Sequence, residues 1–438
     1  MKQYPISGAH ASEITQSAEN AIAAGALVPG ERLPTVRALA ARLGVSPATV
    51  AAAYQNLKLR GLISGAGRRG TAVSATPPLV MRSAPPVPEG VRNLADGRPD
   101  PALLPPFPKL LPRVDPRHGY GAPYNRADLL ELAARMLRAD HIPAGPIAIV
   151  AGALDAIERL LQANLRVGDR VAVEDPGYPP VLDLIGALGL RAVPFGLDDA
   201  GPLPAELGRV LKSGVSAVVV TPRAQNPTGA ALDRNRAREL RGMLRAHPEV
   251  MLIEDDHAGP VAGAPALTLC EAGRSRWAVV RSMSKSLGPD LRIAFVTGDS
   301  TTIGRLEGRQ RLGPGWVSHI LQELLVTVWN DSDTARIVKQ AEAAYGERRG
   351  ALIEALASYG IGAHGRSGFN VWVPVPEEFA VVQSMLGAGW ALSAGERYRM
   401  RTPPAVRVSI STLMPGEARR FAADLARCLA PQGRAHYA

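Results

Sequence analysis

The stretch "SMSKSLGPDLRIAF", Ser282 to Phe295, sets one amine among hydroxyls, a guanidinium and apolar side chains. Lysine is scarce in this chain: of its 50 basic residues six are lysine and 44 arginine, and Lys285 is one of the six. It follows the strand-like run "WAVVRS" and has Met283, Leu287 and the apolar segment Leu291 to Val296 around it. Desolvation disfavours an ammonium ion, so an amine placed there loses its proton readily and becomes a nucleophile for an aldehyde. Ser282, Ser284 and Arg292 offer hydroxyls and a cation to a phosphate. An imine-forming lysine beside a phosphate cradle describes a pocket for pyridoxal 5′-phosphate. Taken alone, the stretch reads equally as a surface lysine in a serine-rich turn.

Four more stretches carry matching chemistry. In "AGALDAI", Gly152 and Ala153 follow the run "IAIV" and open a helix, whose free N–H groups favour a phosphate. In "EDPGYPP", Tyr178 lies just past another strand and could stack on a pyridine ring. In "TPRAQNPTGAAL", Asn226 before Pro227 is a side-chain donor for a ring hydroxyl. "LIEDDHAG" ends a strand in carboxylates, and a buried aspartate facing a pyridine nitrogen would keep it protonated. All of these sit at strand ends, where α/β sheets bind ligands.

The elements needed to hold them are legible from about residue 93 onward. Short β-branched runs ("IAIV", "RVAVED", "RAVPF", "SAVVVT", "VMLIED", "WAVVRS", "IAFVTG") alternate with helical patterns at 153–165, 180–188 and 233–246. This predicts an α/β fold with a mostly parallel sheet. A long helix over 333–358 then leads into an α+β tail containing "FNVWVPV" and "VRVSIST", which predicts a smaller C-terminal α+β domain.

The N-terminus has a different pattern. Helical spacing covers 12–24, with Ser12 as its cap. Thr35 caps a short helix that Gly44 ends, and Ser46 caps a third helix running to about Arg60, with Pro47 in its first turn. "LISGAGRRGTAVS" alternates around a glycine-rich turn as a two-stranded wing would. Together these predict a winged helix-turn-helix, an α+β unit. Its third helix would enter the major groove by its N-terminal end, presenting Ser46, Ala48, Thr49 and Ala52, while Arg37, Arg68 and Arg69 meet the phosphates or the minor groove. A small helical bundle without DNA contact is the other reading. Residues 76–92 hold five prolines and read as a semi-rigid linker.

Composition bounds the rest. At 438 residues with 46% apolar residues, the chain can bury a large core over two or three domains. Residues 1–80 carry eight basic and three acidic groups, +5 of the chain's total of +10, which favours a polyanionic partner. Cys270 and Cys428 cannot make a disulfide framework and have no metal-ligand spacing. There is no apolar run long enough for a membrane helix and no secretory signal, so a cytoplasmic home and no membrane partner are expected.

"NPTGAAL", "IEDDH", "SMSKSLGPDLRIAF" and "VRVSIST" resemble the fold-type I PLP aminotransferases, and "GALVPGERLPTVRALAARLGVSPATVAAAYQNLKLRGLI" resembles the GntR winged-helix family. In this order, with a proline-rich joint, the chain resembles the MocR subgroup of GntR regulators. The resemblance implies a DNA-binding domain over 1–75, the linker over 76–92 and an aminotransferase-like PLP domain over 93–432, its large part about 115–330 and its small part about 333–432. It also implies roles for single residues. Lys285 would form the Schiff base with PLP, Asp255 (with Asp256 the alternative) would face the ring nitrogen, and Asn226 would hold the ring hydroxyl. Tyr178 would stack on the ring, and Gly152, Ala153, Ser282, Ser284 and Arg292 would surround the phosphate. Tyr120 would reach the partner subunit's phosphate site in a homodimer, and Arg407 would grip an effector or substrate carboxylate.

The pattern departs from the family at His257, where tyrosine is usual; a histidine can still hydrogen-bond the ring hydroxyl, but its charge can vary near neutral pH. Pro47 stands where the recognition helix usually has arginine. The function expected is a transcription regulator that binds operator DNA under control of PLP, an amino-acid-like effector, or both, with no turnover in the cell. The alternatives are a working PLP-dependent aminotransferase with an accessory DNA-binding domain, and a DNA-binding protein whose large domain has lost PLP and only dimerises.

Overall fold

Three helices open the computed structural model: α1 (Ala11–Ala23), α2 (Val36–Leu43) and α3 (Pro47–Leu59). Their ends follow from local chemistry. The Thr35 hydroxyl accepts the Ala38 N–H at 3.2 Å, and Gly44 closes α2 in the left-handed conformation at φ 67°. Ser46 Oγ accepts the Thr49 N–H at 3.1 Å and caps α3. Ser12 was expected to cap α1, but the helix starts at Ala11, so Ser12 lies inside the first turn; the Glu13 carboxylate instead accepts the Ala9 N–H at 2.8 Å. Ile14, Leu27, Leu39, Val50, Leu57, Ile63 and Val73 are buried in one small core. Each contributes roughly 1.5–3 kcal/mol by leaving water. A two-stranded antiparallel ribbon follows, β1 (Ile63–Gly65) and β2 (Thr71–Val73), with Ile63 opposite Val73. Helix, helix, tight turn, helix and ribbon make the winged helix-turn-helix that the sequence predicts.

The structure describes residues 4–23, 25–59, 61–65, 70–74, 87–115, 117 and 120–430. The wing arginines Arg68 and Arg69 lie outside the described residues, as does most of the proline-rich stretch. The chain forms two units. The first holds Met1–Pro85 with the short stretches Val167–Asp169 and Leu182–Ala192, and the second holds the remainder.

From residue 87 onward, the stretches Val167–Asp169 and Leu182–Ala192 included, the chain is an α/β fold. Its strands are β3 (Arg92–Asn93), β4 (Ile147–Val150), β5 (Arg170–Asp175), β6 (Arg191–Asp198), β7 (Gly201–Pro202), β8 (Ala217–Val220), β9 (Met251–Asp256), β10 (Trp277–Ser282), β11 (Ala294–Gly298), β12 (Asn370–Pro374), β13 (Trp390–Ala391), β14 (Ser393–Ala394) and β15 (Ala405–Ser409). Its helices are α4 (Ala127–Ala139), α5 (Ala153–Asn164), α6 (Pro179–Ala187), α7 (Pro204–Lys212), α8 (Arg234–Arg245), α9 (Ser300–Arg311), α10 (His319–Asn330), α11 (Ser332–Ala357), α12 (Glu378–Gly387) and α13 (Pro415–Leu429). The main sheet has the order β4-β11-β10-β9-β8-β5-β6-β7. β5, β8, β9 and β10 pair in parallel, while β11 is antiparallel to both its neighbours. The central strands are buried on both faces, which is why they read as continuous apolar runs. A smaller sheet, β12-β15-β14, packs with α11, α12 and α13 to form the C-terminal part.

Candidate functional site

Five chain segments reach one edge of the main sheet. β4 leads to Gly152 and α5, β5 to Tyr178, β8 to Asn226, β9 ends in Asp255 and Asp256, and β10 leads to Ser282, Ser284 and Lys285. Arg292 joins them from the other chain direction: because β11 is antiparallel, its start lies at the edge where β10 ends. A Cβ built on Gly152, at φ 108°, would stand 2.7 Å from Arg292 Nη2, so the guanidinium lies directly against the start of α5. That helix has no side-chain cap on its free N–H groups.

Lys285 is half-buried and donates to the Gly97 carbonyl at 3.1 Å, with its Nζ 5.6 Å from the Phe369 ring centre. Burial pushes its pKa down to about 8, reinforced by Arg407, Arg98 and Arg292 and opposed by Asp96. Asp255 is buried, its Oδ1 has no hydrogen-bond partner, and burial raises it to about 7, with Asp256 and Glu174 adding and Lys285 opposing. The Ser284 hydroxyl is likewise buried and unpartnered.

Asp256 is spent elsewhere. Arg223 grips it through two bonds of 2.9 Å, Arg281 Nε lies 2.7 Å from it, and Arg281 also reaches Asp140 at 2.6 Å. Arg281, with Arg223, overcomes the burial cost and holds its carboxyl far below the ordinary range. Asp255 and Asp256 are consecutive on a strand and so point to opposite faces, and the ion network takes the second. A histidine at position 257 can vary in charge near neutral pH. Burial and the Lys285 ammonium instead lower it to about 4, so it is a neutral imidazole there.

Arg407 is buried on β15. It donates to Asn226 Oδ1 at 3.2 Å and to the Ala95 carbonyl, and its guanidinium lies 5.0 Å from the Tyr398 ring centre. Its Nε has no partner. The Asp175 carboxylate accepts the N–H groups of Met400 (2.8 Å), Arg401 (2.7 Å) and Thr402 (3.2 Å), fastening the C-terminal part beside Tyr178. The sequence reading missed Ala95 to Gly97, Asp175 and Tyr398. "LADGRPD" directly after the prolines, with its Asp-Gly turn, was the available signal for the first.

Residues 100–425 match the aminotransferase class I and II family, and residues 10–73 match the gntR family of bacterial regulatory proteins. The chain is 38% identical over 428 residues to the vitamin B6 salvage pathway transcriptional repressor PtsJ of Salmonella typhimurium, covering 97% of this chain and 99% of that one. The chain belongs to the MocR-type GntR regulators. It is also 29% identical to the HTH-type transcriptional regulator TauR of Rhodobacter capsulatus, over 83% of each chain. Among solved structures it shares its fold with a multiple substrate aminotransferase of Thermococcus profundus, at a TM-score of 0.71 and 21% identity over 78% of this chain and 92% of that one.

The residues fit PLP, the cofactor of fold-type I aminotransferases. An unpartnered buried carboxylate oxygen at Asp255 suits a ring N–H, and an unpartnered hydroxyl at Ser284 suits a phosphate, as does the Gly152–Arg292 cradle. Tyr178 is exposed, and burial of its phenol, followed by the charge of Asp255, pushes its pKa up. Tyr120 is 94% exposed and packs edge-on against Trp316 at 5.8 Å. In the MocR-type DNA-binding unit, Ser46, Ala48, Ala52 and Arg37 are exposed and Thr49 partly so. Among the described residues, no helix is long and apolar enough to cross a membrane.

Proposed function

We propose that this chain is a transcription regulator whose hold on operator DNA is set by PLP, alone or with an amino-acid-like effector. The observation that carries this is the pairing of an intact helix-turn-helix with a site where Asp255 Oδ1 and Ser284 Oγ are buried without partners. The relationship to a vitamin B6 pathway repressor supports PLP itself as the signal. When bound, PLP supplies an aldehyde for the Lys285 amine and a ring that withdraws electrons.

The protein's own groups do the rest. Asp255 holds a proton on the ring nitrogen, and Asn226 and neutral His257 serve the ring hydroxyl. Tyr178 covers the ring, and Gly152, Ala153, Ser282, Ser284 and Arg292 bind the phosphate. Arg407 exchanges the Ala95 carbonyl for a carboxylate, a stronger acceptor for a guanidinium. We further propose a homodimer, in which Tyr120 serves the partner's phosphate site. Catalytic transamination is the second reading, favoured by the buried Arg407 within the same site as Lys285.

The test is DNA binding by the full-length protein with and without PLP, repeated for Lys285→Ala. A PLP-dependent change in affinity, lost in the variant, supports the regulator. Identical binding in all four conditions refutes it. Steady turnover of an amino acid and a keto acid, lost in Lys285→Ala, supports the second reading.

A further inference from the structure

The DNA-reading end of α3 is apolar, which narrows what it can read. This inference rests on the DNA-binding reading, which has independent support in the gntR-family match over residues 10–73 and in the helix-turn-helix itself. Pro47, Ala48, Ala51, Ala52, Gln55 and Lys58 are exposed along one side of the helix. The first two turns of that side carry no cation and no amide, and Gln55 and Lys58 come later.

The two hydroxyls at the tip are bonded to each other, which leaves the pair one O–H to donate to a base edge and no amide or guanidinium for a bidentate contact. Ser46 Oγ accepts the Thr49 N–H at 3.1 Å and lies 2.8 Å from Thr49 Oγ1, so both serve the helix cap. Cations that could meet the phosphates come from outside α3: Arg32, Arg37 and Arg42 are exposed, Arg42 also donating to the Ile6 carbonyl at 3.1 Å.

A base edge pressed against methyl groups loses its hydrogen bonds to water and gains none, which disfavours guanine, cytosine and adenine edges. The major groove has one apolar feature, the C5 methyl of thymine. We propose that α3 reads its operator half-site through thymine methyls packed against Pro47, Ala48, Ala51 and Ala52, and not through bidentate contacts to guanine.

The experiment uses the full-length protein with PLP. A motif is first selected from randomised duplexes. Each thymine of that motif is then replaced singly by deoxyuridine, which removes only the methyl, and affinity is measured by fluorescence anisotropy. At least one thymine per half-site should cost about fourfold on replacement, the worth of one buried methyl group. Pro47→Arg should move the selected base at one of those positions to guanine. Affinity indifferent to every deoxyuridine overturns the inference and leaves operator binding standing. Loss on replacing guanine by 7-deazaguanine at the α3 positions also overturns it. Failure to select any motif overturns the operator-binding reading, and the inference with it.

Discussion

Lys285 should capture PLP with a pH midpoint near 8, some two units below that of a solvated lysine. Burial is the main cause, bringing the amine from 10.5 to about 8. At about pH 7.5 that leaves roughly a quarter of the amine neutral, against roughly 0.1% for a solvated lysine, a gain of about two-hundredfold in reactive form. The surrounding charges give the prediction a sign on each side. Arg407→Gln removes a repelling cation and should raise the midpoint, while Asp96→Asn removes an attracting anion and should lower it. Each shift should be up to about one unit, the size of one charge several ångströms away at an effective dielectric near 20. The assay is stopped-flow absorbance with excess PLP from about pH 6 to about pH 10, the logarithm of the rate being plotted against pH. A rate still rising tenfold per unit above about pH 9.5, in wild type, would show a solvated amine and defeat the burial argument.

Asp255 predicts a pH dependence of folding in PLP-free protein. Its carboxyl is raised to about 7, so the folded state keeps a proton that the unfolded chain releases near pH 4. Its contribution is therefore present below about pH 4 and lost as pH rises to about 7, by at most about 4 kcal/mol. Asp255→Asn should flatten the fall in urea midpoint between pH 5 and 8; an unchanged slope would place the effect on other groups. Asp256→Asn should cost about 3–5 kcal/mol in chemical denaturation, because Arg223 and Arg281 stay buried with weakened pairing, and a loss below about 1 kcal/mol would contradict the network. Gly152→Ala meets both a φ of 108° and Arg292 Nη2 at 2.7 Å, so PLP affinity should fall at least about tenfold, measured by titration; wild-type affinity would show that the cradle is not used.

What could be read from sequence was what local rules decide. Thr35, Gly44 and Ser46 bound their helices through contacts within three or four residues, so the helix-turn-helix was visible residue by residue. The main strands were visible because strands buried on both faces need unbroken apolar runs. What depended on distant partners was not. Nothing in "EDDH" ranks the two aspartates by contact: Asp256 is taken by Arg223, from the loop after β8, and by Arg281, on β10. The direction of β11 decides why Arg292 reaches Gly152 at the start of α5, and direction is a property of the sheet. The protonation of His257 could not be read either, since the burial and the Lys285 charge that lower its pKa come from the packed site.

The lysine count now has a physical meaning at this one position. Arg223, Arg281 and Arg407 are buried, and the first two hold Asp256 as an anion; a guanidinium suits that because it stays charged at any pH the protein meets. On the function proposed above, position 285 needs the opposite property. Its cation must be able to give up a proton, and only an amine among the strongly basic side chains can do so near pH 8. The same burial that would merely strain an arginine there makes the lysine reactive. The contrast between the amine and the two guanidiniums on Asp256 is thus a division of labour: permanent charge where a buried carboxylate is held, and removable charge where, on the function proposed above, an aldehyde is met.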